Sequence, residues 1–200
     1  MNTRKTIVFD FDGVIVDSFY IAFEVSKMKY PTLTIESYQD KWNNNISQAV
    51  FTEPEADIEV DFQREYAIKM KELKLSSDKH KVLEKLAKRF DFHIISSTDT
   101  KTIEDFCQRN EVRHYFGDIL GYDIEISKIK KFKILIEKHN LDSKEIVFIT
   151  DTVGDIEEAK KACIGTIIAV ADGYQSGDVL AEVSPTRVID SIVDLEKVFS

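Results

Sequence analysis

Two aspartates separated by one residue are the first feature of this chain that suggests chemistry. Asp10 and Asp12 directly follow the short apolar run 7–9, and Gly13 after them permits a sharp turn. Carboxylates this close repel each other, so they need a bound cation or a division of work between an ionised group and a protonated one. The spacing predicts a catalytic or cation-binding site; the alternative is that both acids only cap a turn.

A second acidic pair follows the apolar run 145–149. Asp151 stands at the predicted strand tip, and Asp155 opens the next helix. If this strand neighbours the first one, the acids of both pairs converge outside the carboxyl ends of a parallel sheet, where ligands bind in open α/β folds. Mg²⁺ takes a few carboxylate oxygens and fills its other positions with water or phosphate oxygens. The two pairs together predict a Mg²⁺ site; alone, Asp151 and Asp155 would be interpreted as turn and helix-cap residues.

Two further features suit an anionic substrate. Ser96 and Ser97 follow the apolar run 92–95 and precede a helix, whose free N–H groups and neighbouring hydroxyls can bind phosphate oxygens. Lys128 opens another helix, where a cation is unfavourable unless it has an anionic partner. The alternatives are ordinary helix capping by the serines and a solvated lysine face.

Apolar runs and helical periodicity alternate through most of the chain, which predicts a doubly wound, Rossmann-like parallel sheet covered on both faces. Strands are predicted at 7–9, 92–95, 118–122, 145–149, 166–170 and 188–189. Helices are predicted from Ser76 or Ser77, at 100–110, around 129–136, at 155–163 with Gly165 as its stop, and at 192–198.

The segment 19–75 breaks this alternation. It contains no strand-like run, but helical patterns at 19–28, 35–44 and 61–75. We therefore expect an α/β core formed by 1–18 and 76–200, with a small all-α cap, 19–75, inserted after the first strand. Trp42 with Asn43-Asn44-Asn45 offers stacking and hydrogen bonds to a ligand; the alternative is that Trp42 belongs to the cap core.

Composition excludes several classes of protein. With 27 Lys and Arg against 36 Asp and Glu, the 200-residue chain carries a net charge of −9 and has no basic stripe, so no nucleic-acid partner is expected. No apolar run reaches the roughly 18–20 residues that cross a membrane. The N-terminal apolar run is followed by acids, unlike a signal peptide, and the two cysteines, Cys107 and Cys163, are too few to staple the fold. A cytoplasmic protein with two reduced core thiols is predicted.

The motifs quoted above resemble, in order and spacing, those of the haloacid dehalogenase-like superfamily of phosphohydrolases. The similarity covers about 1–18 and 76–200. The first motif is matched by Asp10-Phe11-Asp12-Gly13-Val14, the second by Ser96, the third by Lys128 and the fourth by Asp151 and Asp155. The helical insertion is similar to the cap of the phosphoglycolate-phosphatase-like and β-phosphoglucomutase-like branch. Ile129 replaces the proline that often follows the third-motif lysine, so Lys131 remains a second candidate for it.

The resemblance implies a mechanism. Asp10 would be the nucleophile that forms an aspartyl-phosphate, and Asp12 the general acid and base. Mg²⁺ would be bound by Asp10, the main-chain carbonyl of Asp12, and Asp151. Phosphoryl oxygens would be held by Ser96, Ser97 and Lys128, and Asp155 would orient the metal shell or the lysine.

The expected function is therefore Mg²⁺-dependent hydrolysis of a small phosphorylated metabolite by a monomer or homodimer. A phosphomutase or other phosphoryl transferase would share every core residue and differ in the cap. A non-catalytic scaffold should have lost Asp10, Asp12 or Asp151, and all three are present.

Overall fold

A computed structural model describes residues 4–43 and 50–200. Its centre is a six-stranded, fully parallel sheet with the order β3-β2-β1-β4-β5-β6. The strands are β1 Thr6–Phe9, β2 Asp91–Ile95, β3 Phe116–Leu120, β4 Val147–Thr150, β5 Thr166–Val170 and β6 Arg187–Ile189. Because the strand order reverses between β1 and β4, the crevice at their carboxyl ends is the topological switch point where such sheets bind ligands.

Nine α-helices lie within the described ranges. They are α1 Phe19–Lys29, α2 Ile35–Asp40, α3 Phe62–Met70, α4 Ser77–Leu86, α5 Thr100–Arg109, α6 Lys128–His139, α7 Val153–Lys161, α8 Gly177–Glu182 and α9 Leu195–Val198. No described helix is long and apolar enough to cross a membrane. The helices between successive strands confirm the predicted α/β fold class.

The sheet is buried on both faces because successive strand residues point to opposite sides. Ile7 and Phe9 of β1 belong to a cluster that includes residues of α4, α5 and the C-terminal helix. Val8, between them, belongs to a second cluster with residues of α6 and α7. This alternation explains why β1 reads as a continuous apolar run.

Between β1 and α4, the described residues form only helices, α1 to α3, with a short 3₁₀ turn at Lys41–Asn43. Thr34 caps α2 and Asp61 caps α3, each accepting a hydrogen bond from the backbone N–H three residues on. Buried Phe19 and Tyr66 join the same apolar cluster as β1. The insertion therefore packs on the sheet through a shared core; its treatment as a separate cap remains a prediction. Asn44 and Asn45 lie outside the described residues.

Several local predictions need correction. Strand β3 begins and ends two residues earlier than expected, because Phe116 is buried whereas Tyr122 is exposed. Helix α7 ends at Lys161, and the left-handed residue after it is Cys163, with φ of 58°, rather than Gly165. Cys163 is exposed, so only Cys107 is the predicted core thiol.

Candidate active site

The two acidic pairs converge because β1 and β4 are neighbours in the sheet. Phe9 is in register with Ile149, and the N–H of Asp10 donates a 2.8 Å hydrogen bond to the Ile149 carbonyl. Asp10 and Asp151 thus follow adjacent parallel strands at the same edge. One carboxylate oxygen from each of Asp10, Asp151 and Asp155 lies within 4.8 Å of the others. We call this group the carboxylate cluster.

Glycine in the turn after β1 makes room for this cluster. Gly13 has φ of +69°, and a Cβ atom on it would lie 1.9 Å from Oδ2 of Asp151. A Cβ on Gly173, after β5, would lie 2.3 Å from the same oxygen. The backbone at Gly13 and Gly173 therefore comes closer to the Asp151 carboxylate than any residue with a side chain could.

Lys128 joins two members of the cluster. Its Nζ lies 2.7 Å from Oδ2 of Asp10 and 2.6 Å from Oδ2 of Asp155, and its side chain is 2% exposed. Burial alone lowers the pKa of an ammonium, but attraction to Asp10 and Asp155 prevails and raises the pKa of Lys128 above its usual value. The carboxylates also supply the anionic partner that a cation at the first turn of α6 requires.

Lys131, the other candidate, has a different partner. It is fully buried, and its ammonium donates to the main-chain carbonyl of Ser96. Burial lowers the pKa of Lys131 to about 8, with the Lys128 charge acting in the same direction. Lys128, rather than Lys131, therefore forms the ion pair with Asp10.

The Asp151 carboxylate is incompletely satisfied. Its Oδ2 accepts a 2.7 Å hydrogen bond from the N–H of Tyr174, whereas its buried Oδ1 has no partner. Burial raises the pKa of Asp151 to about 8, although the Tyr174 hydrogen bond opposes this. Of the three buried carboxyl groups of the cluster, only Asp10 and Asp155 contact the ammonium of Lys128. These residues fit a hard divalent cation, whose preferred ligands are carboxylate oxygens.

The Asp12 side chain is not a member of the carboxylate cluster and has its own set of hydrogen-bond donors. Its Oδ1 accepts hydrogen bonds from Ser18, at 2.8 Å, and from the hydroxyl of Tyr66. Its Oδ2 accepts from Thr98 at 2.8 Å and from Ser96 at 3.3 Å. Asp12 is thus held by donors from two sides, a position that suits a proton-transfer group more than a metal-binding carboxylate.

The predicted serines occupy different positions. Ser96 is fully buried; its Oγ contacts Asp12 and accepts a 3.0 Å hydrogen bond from the N–H of Thr98. Ser97 is half-buried and lines a small pit of about 20 Å³ together with Asp10, Asp12 and Lys128. We call this cavity the acidic pit. Of the two serines, Ser97 is on the pit wall, while Ser96 supports the acid beside it.

Sequence reasoning missed several partners of Asp12. Tyr66, from α3 in the insertion, donates to it across 54 positions of sequence. The Tyr174 hydroxyl lies 3.1 Å from the Ser18 hydroxyl, which links the loop after β5 to the same network. The sequence does offer a signal for Thr98, because it continues the run of hydroxyl residues Ser96-Ser97 at the end of β2. The sequence shows Tyr66 only as one apolar position of the predicted helix 61–75.

The fold and the site define an α/β protein with an acidic centre at the carboxyl edge of its parallel sheet. The chain belongs to the haloacid dehalogenase-like hydrolase family, whose model matches residues 7–169. This confirms the resemblance drawn from the motifs and assigns the protein to a family of hydrolases.

Individual relatives agree with this assignment. The phosphoglycolate phosphatase of Vibrio cholerae is 25% identical over an alignment of 224 positions, which covers 99% of this chain and 98% of that protein. A haloacid dehalogenase-like hydrolase from Streptococcus pneumoniae has a similar structure, with a TM-score of 0.78, 20% identity and complete coverage of both chains. The structure of CbbY from Rhodobacter sphaeroides in complex with phosphate has a TM-score of 0.76, 15% identity and 96% coverage of each chain. At these identities the two structures establish the common fold.

Proposed function

We propose that this protein is a phosphatase that hydrolyses a small phosphomonoester through an aspartyl-phosphate at Asp10. Family membership and the phosphoglycolate phosphatase that aligns with nearly the whole chain support this reaction class. The observation that carries the proposal is the contact of Lys128 with Asp10 and Asp155 beside the pit that Asp12 also lines. It combines a carboxylate nucleophile, a cation for phosphoryl oxygens and a second acid in one place.

Mg²⁺ is the proposed cofactor. Asp10, the main-chain carbonyl of Asp12, and Asp151 would hold it, and the unpartnered Oδ1 of Asp151 supports this choice. When bound, the ion supplies positive charge that reduces repulsion between the nucleophile and an anionic phosphate. Asp155, which accepts hydrogen bonds from Lys128 and Thr150, would orient the lysine.

In the first step an oxygen of Asp10 attacks phosphorus, and the bond from phosphorus to the leaving oxygen breaks. Asp12 gives its proton to that leaving oxygen. In the second step Asp12 takes a proton from water, whose oxygen attacks phosphorus; the bond from phosphorus to Asp10 breaks, which releases inorganic phosphate and the free Asp10 carboxylate. Lys128 and Ser97 stabilise charge on the transferring phosphoryl group, and Ser96 contributes by holding Asp12.

A phosphomutase is the second candidate, because its core residues would be the same. It differs in passing the phosphoryl group back to a sugar phosphate, so a cap that keeps water out would be needed. The proposed division into a core of 1–18 and 76–200 and a cap of 19–75 gives either enzyme its substrate choice. A cytoplasmic location and a monomeric or homodimeric state remain predictions from the sequence.

The test separates the roles of the two first-motif acids. With an aryl phosphate and Mg²⁺, Asp10→Asn should show background turnover and no phosphoprotein in intact-mass spectra. Asp12→Asn should lose about 10²–10⁴-fold in turnover and accumulate a phosphoryl group, because hydrolysis of the intermediate needs its base. Asp17→Asn, a change at an exposed acid of the same segment, is the matched control. Wild-type turnover in Asp10→Asn would contradict the mechanism.

A further inference from the structure

A cavity of about 500 Å³ lies between the helical insertion and the carboxyl edge of the sheet. Its volume is within the range of about 300–1,000 Å³ that is typical of small-molecule sites. Much of its wall is aromatic, including Tyr30, Trp42, Phe51, Phe62, Tyr122 and Tyr174. We call this cavity the aromatic chamber.

The chamber adjoins the proposed reaction centre. Asp12, Ser97, Trp42 and Tyr174 line both the chamber and the acidic pit. A phosphomonoester with its phosphoryl group at Asp10 would therefore place its alcohol portion in the chamber. The chamber wall then selects the substrate, and its chemistry can be read from the residues present.

Several of these rings pack against one another. Tyr30 and Phe51 are stacked, with centroids 4.5 Å apart and planes 9° from parallel. Phe62 and Tyr66 are stacked on another part of the wall, with centroids 5.6 Å apart. Trp42 meets Tyr174 edge to face at 4.7 Å, next to the pit. Surfaces of this kind favour a flat ring, because aromatic groups gain from stacked and edge-to-face contacts as well as from burial.

One polar group of the chamber residues has no partner. The side-chain carbonyl oxygen of Gln63 is buried and forms no hydrogen bond with any described residue. A buried acceptor without a hydrogen bond costs free energy, so a ligand that supplies a donor would be favoured. A hydrocarbon ring would supply none.

The charges of the chamber disfavour an anionic alcohol portion. Lys29 is the single cationic residue among the described residues that line it, and its Nζ lies 3.3 Å from Glu55. Asp12 and Asp61 line the same cavity. A carboxylate such as that of glycolate would find no unpaired cation among the described lining residues and would be repelled by Asp61.

We propose that the physiological substrate is a phosphomonoester whose alcohol portion carries a flat, uncharged heteroaromatic ring with a hydrogen-bond donor, as in a nucleoside monophosphate. This inference rests on the proposed phosphatase function for the placement of the phosphoryl group. It differs from the activity in the name of the Vibrio cholerae relative, whose substrate ends in a short carboxylic acid.

Binding is tested first, without turnover. Trp42 is the sole tryptophan of the chain, so its fluorescence reports directly on the chamber. Calorimetry and fluorescence titration of Asp10→Asn, with Mg²⁺ present, should give tighter binding and stronger quenching for nucleoside 5′-monophosphates than for phosphoglycolate or inorganic phosphate. Equal or weaker binding of every nucleoside monophosphate than of inorganic phosphate would overturn the inference.

Turnover of the wild-type protein and of two chamber variants is tested next. Gln63→Leu should lower kcat/KM for the best nucleoside monophosphate by about threefold to tenfold, the worth of one neutral hydrogen bond. Tyr122→Leu should lower it by a similar factor through KM, since this half-exposed ring stands on the chamber wall. Tyr20→Leu changes a more exposed tyrosine outside the chamber and should have no effect.

The outcomes distinguish the two proposals. If no phosphate ester is hydrolysed, the phosphatase proposal fails, and the binding experiment alone decides the substrate class. If phosphoglycolate is hydrolysed with a higher kcat/KM than every nucleoside monophosphate, the phosphatase proposal stands and the inference about the ring is wrong. A ring preference that is unaffected by both Gln63→Leu and Tyr122→Leu would also overturn the assignment to this chamber.

Discussion

Replacing Lys128 by methionine tests the electrostatic centre of the site. The substitution keeps a long, unbranched side chain and removes the charge that lies between Asp10 and Asp155. Both carboxylates are nearly buried, with side-chain exposures of 8% and 12%. Together with Asp151 they would become three neighbouring acids without a protein cation.

The expected loss follows from these contacts. Removing one partner of a buried ion pair costs about 3–5 kcal/mol, because the remaining charge stays in the interior without compensation. Lys128 has two such partners, at 2.7 and 2.6 Å, so we expect the upper part of this range. Since domains have free energies of unfolding of about 5–15 kcal/mol, Lys128→Met should be severely destabilised.

Lys131→Met is the matched control, as it changes another buried lysine of the same helix. Its ammonium bonds to a neutral carbonyl, and a hydrogen bond from a charged donor is worth about 1.5–3 kcal/mol. Burial lowers the pKa of Lys131 to about 8, so the cost of keeping its charge in the interior offsets part of that loss. Lys128→Met should therefore be less stable than Lys131→Met by about 2 kcal/mol.

Urea unfolding at neutral pH measures the free energies of unfolding, with excess chelator so that no divalent cation replaces the missing charge. Adding Asp155→Asn to Lys128→Met should recover stability, because one uncompensated acid disappears. A coupling free energy of about 1–3 kcal/mol between the two positions is expected from the double-mutant cycle. Equal stability of Lys128→Met and Lys131→Met would refute the assignment of Lys128 as the structural counter-ion.

Four further changes have defined outcomes. Gly13→Ala should lower the free energy of unfolding in urea by more than about 1 kcal/mol, because Gly13 has φ of +69° and a Cβ on it would collide with the Asp151 carboxylate. Gly177→Ala is the control and should not do so, since the nearest atom to its Cβ would be 3.4 Å away. Added Mg²⁺ should raise the free energy of unfolding by about 2.7 kcal/mol at roughly a hundredfold excess over Kd, and Asp151→Asn should abolish this gain. Tyr66→Phe should lower kcat for an alkyl phosphate by about tenfold with little change in KM, since its hydroxyl no longer holds the acid–base carboxylate. Burial lowers the pKa of His93 from 6.5 to about 4, so between these pH values His93 is protonated in the unfolded chain but neutral in the folded protein. The free energy of unfolding should therefore fall by up to about 3 kcal/mol as the pH drops from 6.5 to 4, and His93→Gln should lack this part of the pH dependence.

The sequence predicts the strands well where β-rich apolar residues run without interruption. Strand β5 has the predicted bounds, Thr166–Val170, for this reason. Helix α8, Gly177–Glu182, was missed because it has six residues and only Leu180 is buried, so no periodic stripe marks it. The third strand was misplaced because the exposed Tyr122 has the same apolar character as a core residue.

The carboxylate cluster was predictable for a topological reason. Residues that follow parallel strands lie at one edge of the sheet, so Asp10 and Asp151 had to approach each other once β1 and β4 were neighbours. The choice between Lys128 and Lys131 was not predictable. Both lie in the first turn of α6, and only the packing of that helix on the sheet decides which ammonium reaches Asp10 and which reaches the carbonyl of Ser96.

The hydrogen bonds of Asp12 connect the helical insertion to the candidate active site. Thr98 reaches the carboxylate from the sheet edge, while Tyr66 reaches it from α3 of the insertion. Ser18, directly before α1, donates to the same carboxylate and also contacts the hydroxyl of Tyr174. If the insertion moved away from the sheet, Asp12 would lose the Tyr66 donor, and the wall that separates the acidic pit from solvent would open. In the proposed mechanism, docking of the insertion would both enclose a substrate and complete the hydrogen bonds that orient Asp12, so that orientation of this acid and exclusion of bulk water would occur together.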